Sequence, residues 1–328
     1  MTIRIKFAAA VLAVAALPAL VSADVEWDVS VPWSPSEFHS INAENFARRV
    51  EEDTGGAVKM TVHPGGALGI KANESLRAVE DGAVQMAEYA LFQQVGEVPL
   101  LGIESIPFLI KDYSQLRQMH ELVRPVWEAE LKKRNQKALY IVPWPSQNFF
   151  TKEPVTTMAD LSGVKFRTYD ANTATMITRL GGVALQLNNA DVVPALATGK
   201  LDAAMTSGST AAAQKYWQFL NHTYNTNHLW ASNGMVVNLE VWNELTAKQR
   251  ATIESVAAEM EPQFWAISEA EHATRMQQLI DNGMTVSAPT EALAAAMRKE
   301  TADMAGEFAD RVEGSGEIIK KFLAVTGR

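Results

Sequence analysis

What most constrains this chain is its rhythm: short β-branched runs alternate with helical stretches, and glycines mark many of the boundaries. Val25 to Val31 reads as a strand and Trp33-Ser34-Pro35-Ser36 as a turn. Phe38, Ile41, Phe46 and Val50 then follow helical spacing up to Gly55-Gly56. Val58 to Val62 alternates like a strand, and His63-Pro64-Gly65-Gly66 is a loop. A short helix around Leu76 and Val79 stops at Gly82, and Ala83 to Tyr89 returns as a strand. This β-α-β-α-β order is that of a parallel sheet covered by helices.

The rhythm then recurs. Val164 to Thr168 is a strand, and Asp170 stands where it would cap a helix carrying Ala174, Ile177 and Leu180. Gly181-Gly182 ends that helix. Val183, Leu185 and Leu187 alternate as a strand, residues 191–198 are helical with Gly199 at the stop, and Leu201 to Thr206 is another strand. Ala78-Val79-Glu80-Asp81-Gly82-Ala83-Val84 even looks like Ala195-Leu196-Ala197-Thr198-Gly199-Lys200-Leu201. From Asn243 onward Leu245, Arg250, Ile253, Val256, Met260 and Phe264 continue without a strong breaker before Asn282-Gly283, enough for a helix that braces two lobes. The expected architecture is α/β and two-lobed, each lobe a mainly parallel sheet flanked by helices. Residues 24–145 with about 233–272 form one lobe, and 146–232 with about 273–328 the other.

The N-terminus adds a compartment. Arg4 and Lys6 precede an apolar run from Phe7 to Leu20, and Val21-Ser22-Ala23 offers small residues at a cleavage site. This reads as a secretory signal peptide cleaved after about Ala23. An uncleaved anchor is the alternative, but the run is short of the roughly 20 residues that span a bilayer. Loss of Arg4 and Lys6 takes the formal charge from −9 to −11. Without cysteine there is no disulfide, thiolate metal site, cysteine nucleophile or lipid-anchoring cysteine. An acidic chain with no basic block is a poor partner for nucleic acid. A freely soluble periplasmic protein is expected, with no direct membrane anchoring and no cofactor.

Arg167 ends a strand just before a helix N-terminus, where ligands bind in open α/β sheets and where anions are favoured. Spacing leaves two readings open: a guanidinium that clamps a carboxylate through paired hydrogen bonds, or a surface arginine paired with Asp160 or Asp170. Trp144, Phe149, Phe150 and Tyr169 gather nearby, with Trp33, Tyr89 and Phe92 at other strand ends; they are either pocket walls or core. Enzyme signatures are absent: no G-x-S-x-G, no H-E-x-x-H, no P-loop, and no evident base beside Ser207-Gly208-Ser209. His222 and His228, six apart, are a weak metal pair.

Four ordered segments carry a resemblance. His63-Pro64-Gly65-Gly66-Ala67-Leu68-Gly69, Gly82-Ala83-Val84-Gln85-Met86, Asp160-Leu161-Ser162-Gly163-Val164-Lys165-Phe166-Arg167 and Ala195-Leu196-Ala197-Thr198-Gly199-Lys200-Leu201-Asp202 are similar to motifs of a known family. Through them nearly the whole mature chain resembles the solute-binding proteins of tripartite ATP-independent periplasmic (TRAP) transporters, of the C4-dicarboxylate-binding type. The resemblance implies two lobes that close over a ligand. It makes Arg167 the carboxylate-binding arginine, and it implies delivery to a permease of one small and one large membrane subunit driven by an ion gradient. Where many relatives carry a second arginine, Ser146 to Thr151 has none, and Asn148 stands nearest that place. The expected ligand is therefore a monocarboxylate with an aromatic or apolar body. Arg167 would hold it, with neutral hydrogen bonds from Asn148, Gln147 and Ser207. Tyr169, Phe149, Tyr89, Phe92 and Trp33 would wall the cleft. A module serving a sensor kinase, or a periplasmic hydrolase, are the alternatives.

Overall fold

The protein is described here from a computed structural model covering residues 25–328; the leader inferred for residues 1–23 lies outside the described residues. In chain order the first half runs β1 (Val25–Ser30), α1 (Phe38–Asp53), β2 (Val58–His63), α2 (Ser75–Glu80), β3 (Met86–Ala90), α3 (Tyr113–Lys133) and β4 (Gln136–Pro143). There follow β5 (Asn148–Thr151), β6 (Lys165–Thr168), α4 (Ala171–Arg179), β7 (Val183–Gln186), α5 (Asn189–Ala197), β8 (Ala203–Thr206), α6 (Gly208–Ala213) and β9 (His222–Tyr224). The chain finishes with β10 (Ser232–Asn238), α7 (Leu239–Glu244), α8 (Ala247–Asp281), β11 (Thr285–Ser287), α9 (Glu291–Glu300), α10 (Met304–Arg311) and α11 (Ser315–Val325).

Two sheets result. The first has the order β2-β1-β3-β10-β4 and the second β11-β9-β5-β8-β6-β7. β1 pairs in parallel with β2 and β3, and β6 in parallel with β7 and β8. The expected parallel cores are therefore present in both sheets. Each also takes in antiparallel partners: β10 against β3 and β4, and β5 against β8 and β9. These partners arise where the chain passes between the sheets. The stretch from β4 into β5 and the stretch from β9 into β10 run side by side, still bonded between the sheets through Trp144 N–H to Ala231 O (2.8 Å) and Gln147 N–H to Leu229 O (3.1 Å).

The sheets are tied a third time by α8. At 35 residues it is roughly 50 Å long. Thr246 caps it, accepting from Gln249 N–H at 3.2 Å, and Gln249 reaches back to Thr246 N–H at 2.8 Å. It packs on α1 and β4 of the first half and on α6 and β11 of the second. Trp265 on α8 donates to Ile141 O in β4 at 2.8 Å. The C-terminal helices touch both halves: Thr290 donates to Thr156 O, Arg179 of α4 pairs with Asp303 and Glu307, and α11 lies on α3.

The two look-alike segments form the same device. Gly82 (φ 71°) follows α2 and Gly199 (φ 70°) follows α5. In each case the next N–H turns back to the helix, Ala83 N–H to Ala78 O and Lys200 N–H to Ala195 O, both at 2.9 Å. This is the glycine stop that satisfies orphan helix carbonyls and sends the chain straight into a strand. A Cβ at Gly199 would meet nothing within 4 Å, and one at Gly82 only Asn238 Nδ2 at 3.9 Å. The cost of substitution is thus conformational. Gly82→Ala and Gly199→Ala should each lower unfolding free energy by about 1–2 kcal/mol, read from urea midpoints at unchanged slope.

Candidate functional site

A cavity of about 310 Å³, counting space open to solvent, lies where the carboxyl ends of strands from both sheets meet. From the first half come Trp33 after β1, Phe92 and Gln93 after β3, and Trp144 beyond β4. From the second come Gln147 before β5, Arg167 and Tyr169 at the end of β6, Asn189 at the start of α5, and Thr206, Ser207 and Thr210 around the β8–α6 turn. Local chemistry fixes this rim. Asp170 caps α4 by accepting from Thr173 N–H at 2.7 Å, which ends β6 at Arg167-Thr168. Ser207 caps α6 by accepting from Thr210 N–H at 3.2 Å.

Arg167 dominates the cavity's electrostatics. It is 3% exposed. Its Nε donates to Leu187 O (3.1 Å), its Nη1 to Met205 O (3.2 Å), and its guanidinium lies 5.1 Å from the centre of the Tyr169 ring. Among the described residues no carboxylate comes within 4.0 Å of it, and Nη2 bonds to none of them. Burial pulls its pKa below the usual arginine value, opposed by Tyr216, Tyr169, Glu37 and Asp170. A guanidinium so placed stays charged. It is therefore a buried cation with no ion-pair partner among the described residues, Glu37 and Asp170 acting on it only from beyond 4.0 Å.

The walls are aromatic. Trp33 and Trp144 meet edge to face at 5.2 Å, and Phe92 meets Tyr169 at 5.0 Å across the two halves. Both indoles are held from behind. Glu88 on β3, fully buried, accepts from Trp33 Nε1 at 2.6 Å and from Asn233 Nδ2 at 3.0 Å, while Asn233 Oδ1 accepts from Trp144 Nε1 at 2.7 Å. His39 Nδ1 also approaches Glu88 to 2.8 Å, without the alignment of a hydrogen bond.

A second acid sits closer to the cleft. Glu37, just ahead of α1, is completely buried. Oε2 accepts from Ser34 N–H at 3.0 Å. Burial pushes its pKa up to about 7; Thr210, Ser34 and Asn189 pull it back, and Glu88 adds to the rise. Thr210 and Asn189 thus stand beside the carboxyl, yet Oε1 has no partner of full hydrogen-bond geometry among the described residues.

Six of the nine residues singled out in the sequence line this cavity: Arg167, Gln147, Tyr169, Ser207, Phe92 and Trp33. Three do not. Tyr89 is buried in the first sheet, its hydroxyl donating to Gln136 Oε1 at 2.7 Å. Phe149 packs between Phe166 and His228, at 5.1 and 5.0 Å. Asn148 is turned to backbone, donating to Ser146 O (3.2 Å) and accepting from Asn227 N–H (3.4 Å). Gln93, Trp144, Asn189, Thr206 and Thr210 line the cavity without having been singled out as ligand groups. The polar cluster Thr206 to Thr210 at a strand–helix turn was the available signal for the last two. His228 is fully buried with its pKa pushed down to about 3, so its ring is neutral; its Nδ1 pairs with Thr226 at 2.8 Å.

A profile of bacterial extracellular solute-binding proteins, family 7, matches residues 29–311. A marine-metagenome TRAP solute-binding protein, described as specific for pyroglutamate and solved with co-purified pyroglutamate, is 32% identical; the match covers 92% of this chain and 98% of that one, with a TM-score of 0.88. An extracytoplasmic solute receptor of Bordetella pertussis that binds pyroglutamic acid is 27% identical over 91% of this chain and 99% of its own, also at 0.88. The C4-dicarboxylate-binding periplasmic protein of Rhodobacter capsulatus is 27% identical over 249 residues, 74% of each chain.

Glu37 gives the site a pH signature. Its folded pKa is raised, so between about 4.5 and about 7 the folded state holds a proton that the unfolded state has lost. Stability must then fall as pH rises through that window, by a total on the order of 3 kcal/mol. Glu37→Gln, which keeps an acceptor for Ser34 N–H, should melt like the wild type near pH 4.5 and increasingly above it towards pH 8. Melting curves of the two proteins across that range check this.

Proposed function

Because the chain belongs to the bacterial extracellular solute-binding protein family 7, we propose that it captures a small cyclic or branched monocarboxylate in the periplasm by closure of its two halves. It hands that ligand to the membrane subunits of a TRAP permease. The observation that carries this reading is Arg167: a buried cation with donors left over and, among the described residues, no carboxylate within 4.0 Å. Leaving a charge buried and unpaired is costly, so the site is completed by an anion that brings two oxygens to the guanidinium.

Three features narrow the class. The cavity is small, its walls are indole, phenol and phenyl rings, and Arg167 is the only Lys, Arg or His among its lining residues. One carboxylate and a compact, partly apolar body match that lining; a second carboxylate does not. The pyroglutamate bound by the two structural relatives has this character, and we place this chain's ligand in the same class.

The halves that close are residues 24–145 with about 233–272, and 146–232 with about 273–328, the last helices touching both. Closure joins Trp33, Phe92 and Trp144 to Arg167 and Tyr169. The protein reaches the periplasm through a leader cleaved after about Ala23. It performs no bond-making step, and the Ser207 hydroxyl at the β8–α6 turn serves as the cap of α6.

The test is a thermal-shift screen of the mature protein against organic acids, with Arg167→Ala run beside it. Ligands that bind the native state raise the melting temperature. Compact monocarboxylates should give shifts that vanish in Arg167→Ala, with affinity lower by about 100- to 1,000-fold or more, as for breaking a buried ion pair. Shifts that survive in the variant, or that come from uncharged compounds alone, would sink the reading.

A further inference from the structure

The cavity's charge is satisfied at one point only, by whatever Arg167 holds. Gln93 Oε1 and the Tyr169 hydroxyl in its lining are buried without a partner among the described residues, and one carboxyl, Glu37, stands behind Thr210 and Asn189. This carboxyl has one oxygen fixed by Ser34 N–H and the other, Oε1, buried with no partner of full hydrogen-bond geometry among the described residues. Thr210 and Asn189, which flank it, both line the cavity. Glu37 belongs to the first half of the chain while those two neighbours belong to the second, so the carboxyl stands across the closed cleft. A buried acceptor left unmade is unfavourable, and a donor on the ligand would remove that penalty. A second ligand carboxylate would instead meet Glu37, with Glu88 behind it and no further cation in the lining.

Resting on the reading that Arg167 takes the carboxylate, we propose that Glu37 is the second specificity determinant: its free Oε1 accepts a hydrogen bond from an N–H or O–H on the ligand body and turns away a second carboxylate. The ligand is then a carboxylate with a donor group on its ring or branch, as a lactam has, and the site distinguishes it from a body of equal shape that lacks the donor.

The experiment compares two rings of nearly the same outline, 5-oxoproline and its lactone counterpart 5-oxotetrahydrofuran-2-carboxylate, in which ring oxygen replaces N–H. Affinities are measured by calorimetry near pH 8, where Glu37 is ionised, on ligand-stripped mature protein, for the wild type, Glu37→Met and Glu37→Gln, with glutarate as the dicarboxylate. The wild type should bind the lactam at least about ten-fold more tightly than the lactone, the scale of a hydrogen bond to a charged or strongly polar acceptor. Glutarate should be weaker than the lactam by at least as much. Glu37→Met, which removes the acceptor, should bring the lactam-to-lactone ratio to within about three-fold, and Glu37→Gln, which keeps a carbonyl oxygen, should restore most of it. Equal wild-type affinity for the two rings overturns the proposal without need of any variant, and so does tight glutarate binding. A folded Glu37→Met protein that keeps the full preference also overturns it. In each of those cases Arg167-dependent binding survives; if no carboxylate binds the wild type at all, the Arg167 reading falls first and this one with it.

Discussion

A single buried charge organises this molecule. The Arg167 guanidinium is out of water and is steadied by two backbone carbonyls, Leu187 O just beyond β7 and Met205 O in β8. Those strands flank β6, which carries the arginine. The register of three parallel strands therefore sets the direction of one side chain. A slip of one residue in β6 would turn Arg167 to the opposite face of the sheet. The Asp170 cap guards against this from one end and the positive-φ Gly163 (φ 73°) from the other.

Much of that was legible from the residues. The strand-helix alternation, the two glycine stops, the cap at Asp170 and the long C-terminal helix are local signals, and local signals survive folding. Arg167 was legible for the same reason, as a charged residue at a strand end before a helix. What the sequence hid was direction. All five residues of β3 and all four of β5 are buried, so neither strand shows the polar–apolar alternation that would tell which face meets the cleft. Tyr89 and Phe149 therefore looked like wall residues and are core. Phe92 and Trp33 sit in the segments after strands, where no such ambiguity arises.

The residues behind the wall were hidden by distance. Trp33, Glu88, Asn233 and Trp144 form one hydrogen-bonded chain from β1 through β3 and β10 to the segment beyond β4. No sequence window contains more than one link. Glu37 is similar: it reads as an exposed residue at a helix start, and comes to stand behind the cavity wall only when Asn189 and Thr210 are brought up from far along the chain. Buried carboxyls that orient rings by accepting from their N–H groups give a rigid wall without filling the cavity.

Helix α8 has a mechanical consequence. It is one continuous rod fastened to both halves, to β4 through Trp265 and to the second half through α6 and β11. Any opening of the cleft must flex that rod or slide it in its seats. Pro262 lies within it, next to the seat on β4, and removes one rung of the helical ladder there. The helix is thus softest near one anchorage, like a leaf spring thinned beside its clamp. A change in the cleft's aperture is therefore felt along the whole rod, at β4 and at α6 and β11 alike.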